Sequence, residues 1–384
     1  MDTQQRMTGL LSAWHDWRER REILRDIRRR QADQSERDRF VVRDALAEAL
    51  AAFGIGDRRK ATAIWTATRD RYPMEIRASP LALELLLKLH HYDEAAALMA
   101  EGRKKHPKEI FFAKGVAAVA HTRGDHNAAI EYYVALRKQF PGVATGYVLG
   151  AQSLAAANRL AEADAQAEMA MNLFPEEIGG FLEYARLAVR REDWPEAMRR
   201  WELLQAAFDD RPFGLHGRAQ ALIKLGRYDE ADVQLEAARF RFPTNSGLLA
   251  EFAYCAQARG DFPEAVKRWK RRVEVVPMEM HGYNNAAAAF DEMGEYAEAE
   301  TILRAAVERF PLEESPPIML AKFLHGRQDF TAEAECWAAL RKIFVNNEHA
   351  YTHGADALRR AGHVDRANAL LEEHKSRFAR SSGG

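Results

Sequence analysis

Proline recurs at a fixed step. Pro73, Pro107, Pro141 and Pro175 are each 34 residues apart, and Pro243, Pro277 and Pro311 continue the same register. Alanine keeps the step at Ala61, Ala95, Ala129, Ala163, Ala197, Ala231, Ala265 and Ala299, is replaced by Glu333, and returns at Ala367. A further column runs through Ala49, Leu83, Ala117, Ala151, Ala185, Ala219, Ala253, Ala287, Ala321 and Ala355. Three columns in one register divide 42–381 into ten units, the first at 42–75 and the last at 348–381. A period of this length signals an array of small supersecondary units that cannot bury their own apolar faces and are stable only when stacked.

Each unit reads as two helices. In 212–245, PFGLHGRAQALIKLG precedes RYDEADVQLEAARFRFP. Gly226 can take the left-handed conformation that ends the first helix, and the second stops before Pro243. Alanine marks the closest helix approaches, where a larger side chain would push the backbones apart. The residue before each proline position is aromatic in eight units, among them Tyr72, Phe140, Phe242 and Phe310, and is expected to plug the seam between units.

These features resemble the tetratricopeptide repeat: the period, the paired small residues, the turn glycine, the aromatic two residues after it and the terminal proline. GRYDEA, GDFPEA and GEYAEA, starting at Gly226, Gly260 and Gly294, carry the likeness most closely. It implies an all-α chain, a right-handed α-solenoid of about ten helix-turn-helix repeats. First helices would line the concave face and second helices would face outward. It also implies a role in holding protein partners. Residues 1–41 are expected to add an N-terminal amphipathic helix, with Leu10, Trp14, Trp17 and Leu24 on its apolar stripe. That helix would cap the first unit or, as the alternative, touch a membrane or partner. Residues 382–384 are expected to be a disordered tail.

Composition narrows the function. Lys plus Arg total 56 and Asp plus Glu 57, a net charge of -1, so no global field recruits nucleic acid or anionic lipid. Two cysteines cannot make a disulfide framework. No run reaches the ~18–20 apolar residues of a membrane span. The expected location is the cytoplasm, with the inner face of the membrane as the alternative.

Motifs for chemistry are missing. There is no phosphate-binding loop, H-E-x-x-H, C-x-x-C or G-x-S-x-G. His349, His353 and Asp356 share one helical face and form a weak metal candidate, but no fourth ligand or orienting partner is identifiable. A polar stretch of the concave face is the stronger reading there, and no metal or other cofactor is expected. Trp65, Trp201, Trp269 and Trp337 fall in one second-helix column and read as core, as does Trp194 after its turn. The basic run Lys267, Arg268, Lys270, Arg271 and Arg272 lies on a second helix and reads as a solvated outer face.

By the geometry of the resembled repeat, the fifth and ninth residues of each unit face inward. They give Gln152, Arg186, His216, Gln220, Tyr254 and Asn284, with Glu183, Glu251 and Asn285 in the adjoining column. Gln152, Arg186, His216, Gln220, Tyr254, Asn284 and Asn285 are the expected partner-binding residues. Tyr283-Asn284-Asn285-Ala286-Ala287 resembles part of the carboxylate clamp of chaperone-binding members, yet Ala250, Tyr254 and Met319 break that pattern. The expected function is therefore a non-enzymatic scaffold or adaptor for a protein or peptide partner. The alternative is a regulatory or substrate-presenting subunit of an enzyme system, such as a glycosyl- or sulfotransferase or secretion or envelope-polymer machinery. Homo-oligomer formation stays open.

Overall fold

The computed structural model describes residues 34–378, so the expected N-terminal stripe and C-terminal tail lie outside the described residues. The chain divides into two compact units, 1–187 and 188–384. The first holds α1 (34–54), α2 (Arg58–Arg71), a short 3-10 turn (Glu75–Ala78), α3 (Pro80–Leu89), α4 (Tyr92–Lys105), α5 (Ile110–Arg123), α6 (His126–Gln139), α7 (Thr145–Ala156), α8 (Leu160–Leu173) and most of α9 (Ile178–Arg190). The second holds α10 (Trp194–Ala207), α11 (Phe213–Lys224), α12 (Tyr228–Arg241), α13 (Ser246–Ala258), α14 (Phe262–Val275), α15 (Met280–Glu292), α16 (Tyr296–Arg309), α17 (Ser315–Gly326), α18 (Phe330–Ile343), α19 (Glu348–Arg360) and α20 (Val364–Phe378). No strand occurs among the described residues. From α3 to α8 and from α10 to α20 each helix packs on its successor, and first helices also touch along the array, α3 on α5 and α11 on α13. The architecture is an α-solenoid of helix hairpins.

The turn inside each hairpin shows how local chemistry builds this pattern. All ten turns place one residue at positive φ: Gly56, His90, Gly124, Asn158, Glu192, Gly226, Gly260, Gly294, Gln328 and Gly362. Six are glycine, which takes this conformation without strain. At Gly226 the backbone N–H bonds to Ile223 O, and that of Arg227 to Leu222 O, satisfying carbonyls that α11 leaves open. The second helix then runs antiparallel to the first, and the alanines at their contact are fully buried, Ala231, Ala265 and Ala299 at 0% exposure. The aromatics of the pre-proline column were expected at the seam between units, but these three close their own hairpins: Phe174 packs on Tyr147, Phe310 on Tyr283 and Phe378 on Tyr351, with ring centroids 5.4–5.8 Å apart.

A second, longer period lies inside the first. Asp57, Asp125, Asp193, Asp261 and Asp329 are 68 residues apart, and each side chain accepts the N–H three residues on, capping a second helix. Eight residues after each stands a large aromatic: Trp65, Tyr133, Trp201, Trp269 and Trp337, all buried. The alternate units have His91, Arg159, Arg227, Glu295 and His363 at the cap, and the smaller Met99, Ala167, Leu235, Leu303 and Leu371 in the core. The array thus repeats by pairs of hairpins. Cutting a buried aromatic back to Ala typically costs ~3–5 kcal/mol, so the odd units carry the heavier core.

Candidate functional site

In the second unit, α11, α13 and α15 are consecutive first helices. Their side chains assemble a polar and aromatic face. His216 on α11 lies 3.4 Å from Glu251 on α13. The Glu251 side chain is 13% exposed, and no lysine or arginine lies within ion-pair distance of it among the described residues. Gly247 stands beside the imidazole, where a Cβ would come within 3.1 Å of His216 Cδ2. The glycine thus gives the ring room to reach Glu251.

Tyr254 is the centre of the face. Its hydroxyl donates to Asn285 Oδ1 at 3.2 Å and sits 3.1 Å from His281 Nε2. That arrangement suits the tautomer in which His281 carries its proton on Nε2. Asn285 is itself fixed, donating from Nδ2 to His281 O at 2.7 Å. The Tyr254 ring stands edge-on to the buried Trp269, centroids 4.9 Å apart. Burial raises the Tyr254 pKa, with Glu251 reinforcing the shift. Burial, reinforced by Arg272, lowers that of His281, which keeps the imidazole neutral at pH 7. Around Tyr254 the face therefore carries fixed dipoles and the Glu251 carboxylate, not a cationic cluster.

Gln220 and Tyr254 open onto a shared pocket of ≈ 540 Å³. Ile223 and Phe262 give it apolar walls, while Lys224, Glu251, Gln257 and Glu292 supply polar edges. Asn284 is half-buried, and its Oδ1 has no hydrogen-bond partner. In the first unit, Gln152 on α7 donates to Glu183 on α9 at 2.9 Å, while Arg186 projects into solvent. The structure thus brings His216, Gln220, Tyr254 and Asn285 onto one face. Gln152 and Arg186 belong to the other unit.

Two expectations are corrected here, and one weak candidate is set aside. The basic run is not a solvated face. Arg268 is 9% exposed, bonded to Asp232 at 2.6 Å, Glu264 at 2.9 Å and the Phe252 carbonyl at 2.8 Å, with its guanidinium 3.6 Å from the Phe252 ring centre. Arg272 is 3% exposed and bonds Glu279 and Ser246. Only Lys267, Lys270 and Arg271 face solvent. Ala265, Arg268, Trp269 and Arg272 follow the spacing of an inward helical stripe, the signal that would have found this. The metal candidate does not assemble. His349 and His353 stack on each other, His353 stacks on Trp337, and Asp356 is taken by Arg360 at 2.8 Å. Trp194 is half-buried, with the Lys224 ammonium 5.9 Å from its ring centre. Trp65, Trp201, Trp269 and Trp337 are core, as expected.

Neither cysteine offers a nucleophile. Burial pushes the Cys255 thiol up to about 12 and that of Cys336 to about 11. Among the described residues no helix is long and apolar enough to cross a membrane.

Residues 251–314, which carry most of this face, match the family model described as tetratricopeptide repeat. That segment is of the tetratricopeptide-repeat family. Among solved structures, yeast Tom70 is similar over 88% of this chain and 82% of its own, at 15% identity and a TM-score of 0.53. That likeness is one of fold. YrrB, described as a tetratricopeptide-repeat protein with an unusual peptide-binding site, is similar over 52% of this chain and 99% of its own, at 20% identity and a TM-score of 0.36. A tetratricopeptide repeat protein from Parabacteroides merdae is similar over 65% and 98%, at 16% identity and a TM-score of 0.41. No curated protein matches. In a tetratricopeptide repeat of this kind, two features of the face escaped the sequence reading. Arg268 braces α13 and α14 from behind. His281 enters from the second position of its unit, a column with no polar requirement.

Proposed function

We propose that this chain is a non-enzymatic scaffold that holds an extended segment of a partner protein against the first-helix face of α11, α13 and α15. The observation carrying the reading is the pocket beside Tyr254. An open, partly apolar hollow is flanked by polar side chains whose own neighbours hold them in place. Pre-ordered contacts lose less entropy on binding than mobile ones. The solenoid itself supports the same reading, because stacked hairpins repeat their exposed columns along a rigid frame. Tyr254 is the expected anchor, a flat ring with a polar tip of the kind that dominates interfaces. Gln152 and Arg186 would add contacts from the first unit's own face.

The test is affinity capture of partners by the tagged full chain, followed by mass spectrometry. Gln220→Ala with Tyr254→Ala should lose the captured partner, with helicity by circular dichroism unchanged. Lys267→Ala with Arg271→Ala, two exposed residues of α14, should keep it. The opposite pattern would place the binding surface on the second helices.

A further inference from the structure

The pocket between α11, α13 and α15 also carries a charge preference, which deepens the reading above and rests on it. Two carboxylates open into it, Glu251 from α13 and Glu292 from the end of α15. Glu251 is mostly buried, yet no lysine or arginine lies within ion-pair distance of it among the described residues. Glu292 has no cationic partner among the described residues, and neither has its exposed neighbour Asp291. Lys224 is the single lysine or arginine of the lining, and its ammonium lies beside the Trp194 ring. Elsewhere in this unit half-buried carboxylates are closed by guanidinium groups: Asp232 by Arg259 and Arg268, Glu264 by Arg268. In the pocket no guanidinium closes Glu251, as none closes Glu333 on α18. Ile223, Tyr254 and Phe262 share the lining with the two carboxylates and offer apolar surface and little hydrogen bonding beyond the Tyr254 hydroxyl.

We infer that the occupant of this pocket is a basic, apolar segment of a partner protein. One aliphatic or aromatic side chain rests on Ile223, Tyr254 and Phe262, and an adjacent lysine or arginine lies between Glu251 and Glu292. A charge-assisted bond to a desolvated carboxylate is stronger than one between neutral groups, and it excludes acidic partners by repulsion. This preference is opposite in sign to that of the carboxylate clamp, whose pattern Ala250 and Tyr254 break and which has Met319 where a basic residue is expected.

The experiment titrates the full chain with three short fluorescein-labelled peptides at physiological salt, read by anisotropy. One alternates leucine and lysine, the second replaces its lysines with glutamate, and the third replaces its leucines with serine. The leucine–lysine peptide should bind at least about tenfold more tightly than either relative, since each loses one of the two contacts. Glu251→Gln with Glu292→Gln should weaken it by about tenfold. Glu292→Gln alone, a fully exposed change that leaves folding intact, should weaken it by about threefold. Glu308→Gln with Glu313→Gln, remote from the pocket, should leave it unchanged. The inference is overturned if the glutamate peptide binds as well, or if the Glu251 and Glu292 changes leave the lysine peptide's affinity intact. Tyr254→Ala separates the two readings. Loss of binding in Tyr254→Ala alongside charge-blind binding would keep the site and discard its preference. Indifference to Tyr254→Ala would discard both.

Discussion

Glu192 sits at φ 57° and Gln328 at φ 61°, where six of the ten counterparts along the chain are glycine. A Cβ in the left-handed region costs roughly 1–2 kcal/mol, partly offset by the greater freedom a glycine has in the unfolded chain. Glu192→Gly and Gln328→Gly should therefore each stabilise the protein by up to about 1 kcal/mol. Urea titration followed by circular dichroism checks it, and a loss of stability in both would mean the turns are held by side-chain contacts instead. Asn158 should gain less, because asparagine tolerates this conformation better. The turn column was readable in the sequence wherever glycine filled it. It was hidden at His90, Asn158, Glu192 and Gln328, whose identities say nothing of their backbone. Glu333 is a related case. It replaces a core alanine and is 4% exposed, yet it accepts the Trp337 indole N–H at 3.1 Å and lies 3.0 Å from His325 Nδ1. Its pairing depends on neighbours that no single column displays.

At the scale of the element, α14 teaches the most. Five basic residues in six positions read as an outer face, but the helix turns Arg268 and Arg272 inward beside Ala265 and Trp269. Burial works against the Asp232 carboxylate, yet Arg268 and Arg259 outweigh it and hold its pKa below the ordinary value. Because that pKa is depressed on folding, the stabilisation is present above the ordinary aspartate range and is lost as pH falls through the folded value. Arg268→Ala removes one partner of a largely buried pair and bares the Phe252 ring, at a cost of roughly 3 kcal/mol. Arg271→Ala, whose partner Glu274 is equally exposed, should stay within about 0.5 kcal/mol of the parent. Chemical denaturation of both variants checks the contrast, and equal effects would return Arg268 to the surface. The helices themselves were legible throughout, since alanine, proline and glycine columns mark where each begins, touches and ends. The face that each charged residue takes was not, because ion pairs across units depend on residues some 34 positions away. The candidate site shows the same division. The repeat register places its columns on α11, α13 and α15, while the His216–Glu251 and Tyr254–His281 contacts needed three dimensions.

At the scale of the molecule, the alternation of heavy and light cores makes the seams between hairpins unequal. The second helices α14 and α18 bring Trp269 and Trp337 against the first helices α15 and α19. Deleting 314–347 would set α16, with Leu303, against a surface built for Trp337. Deleting 280–347 would set Trp269 there instead. The larger deletion should therefore keep α19 protected from hydrogen exchange, whereas the smaller should lose roughly 2–4 kcal/mol of protection locally through the unfilled volume. Equal protection in both would show that the seams tolerate any neighbour. The pairing of hairpins also sets a rule for change in this chain. If the deletions behave so, its length changes at least cost in steps of two hairpins, much as a brick wall of alternating bond is raised by whole courses. A binding face carried on the first helices would then be copied, removed or spaced from another by that step, set by the spacing of the indole rings.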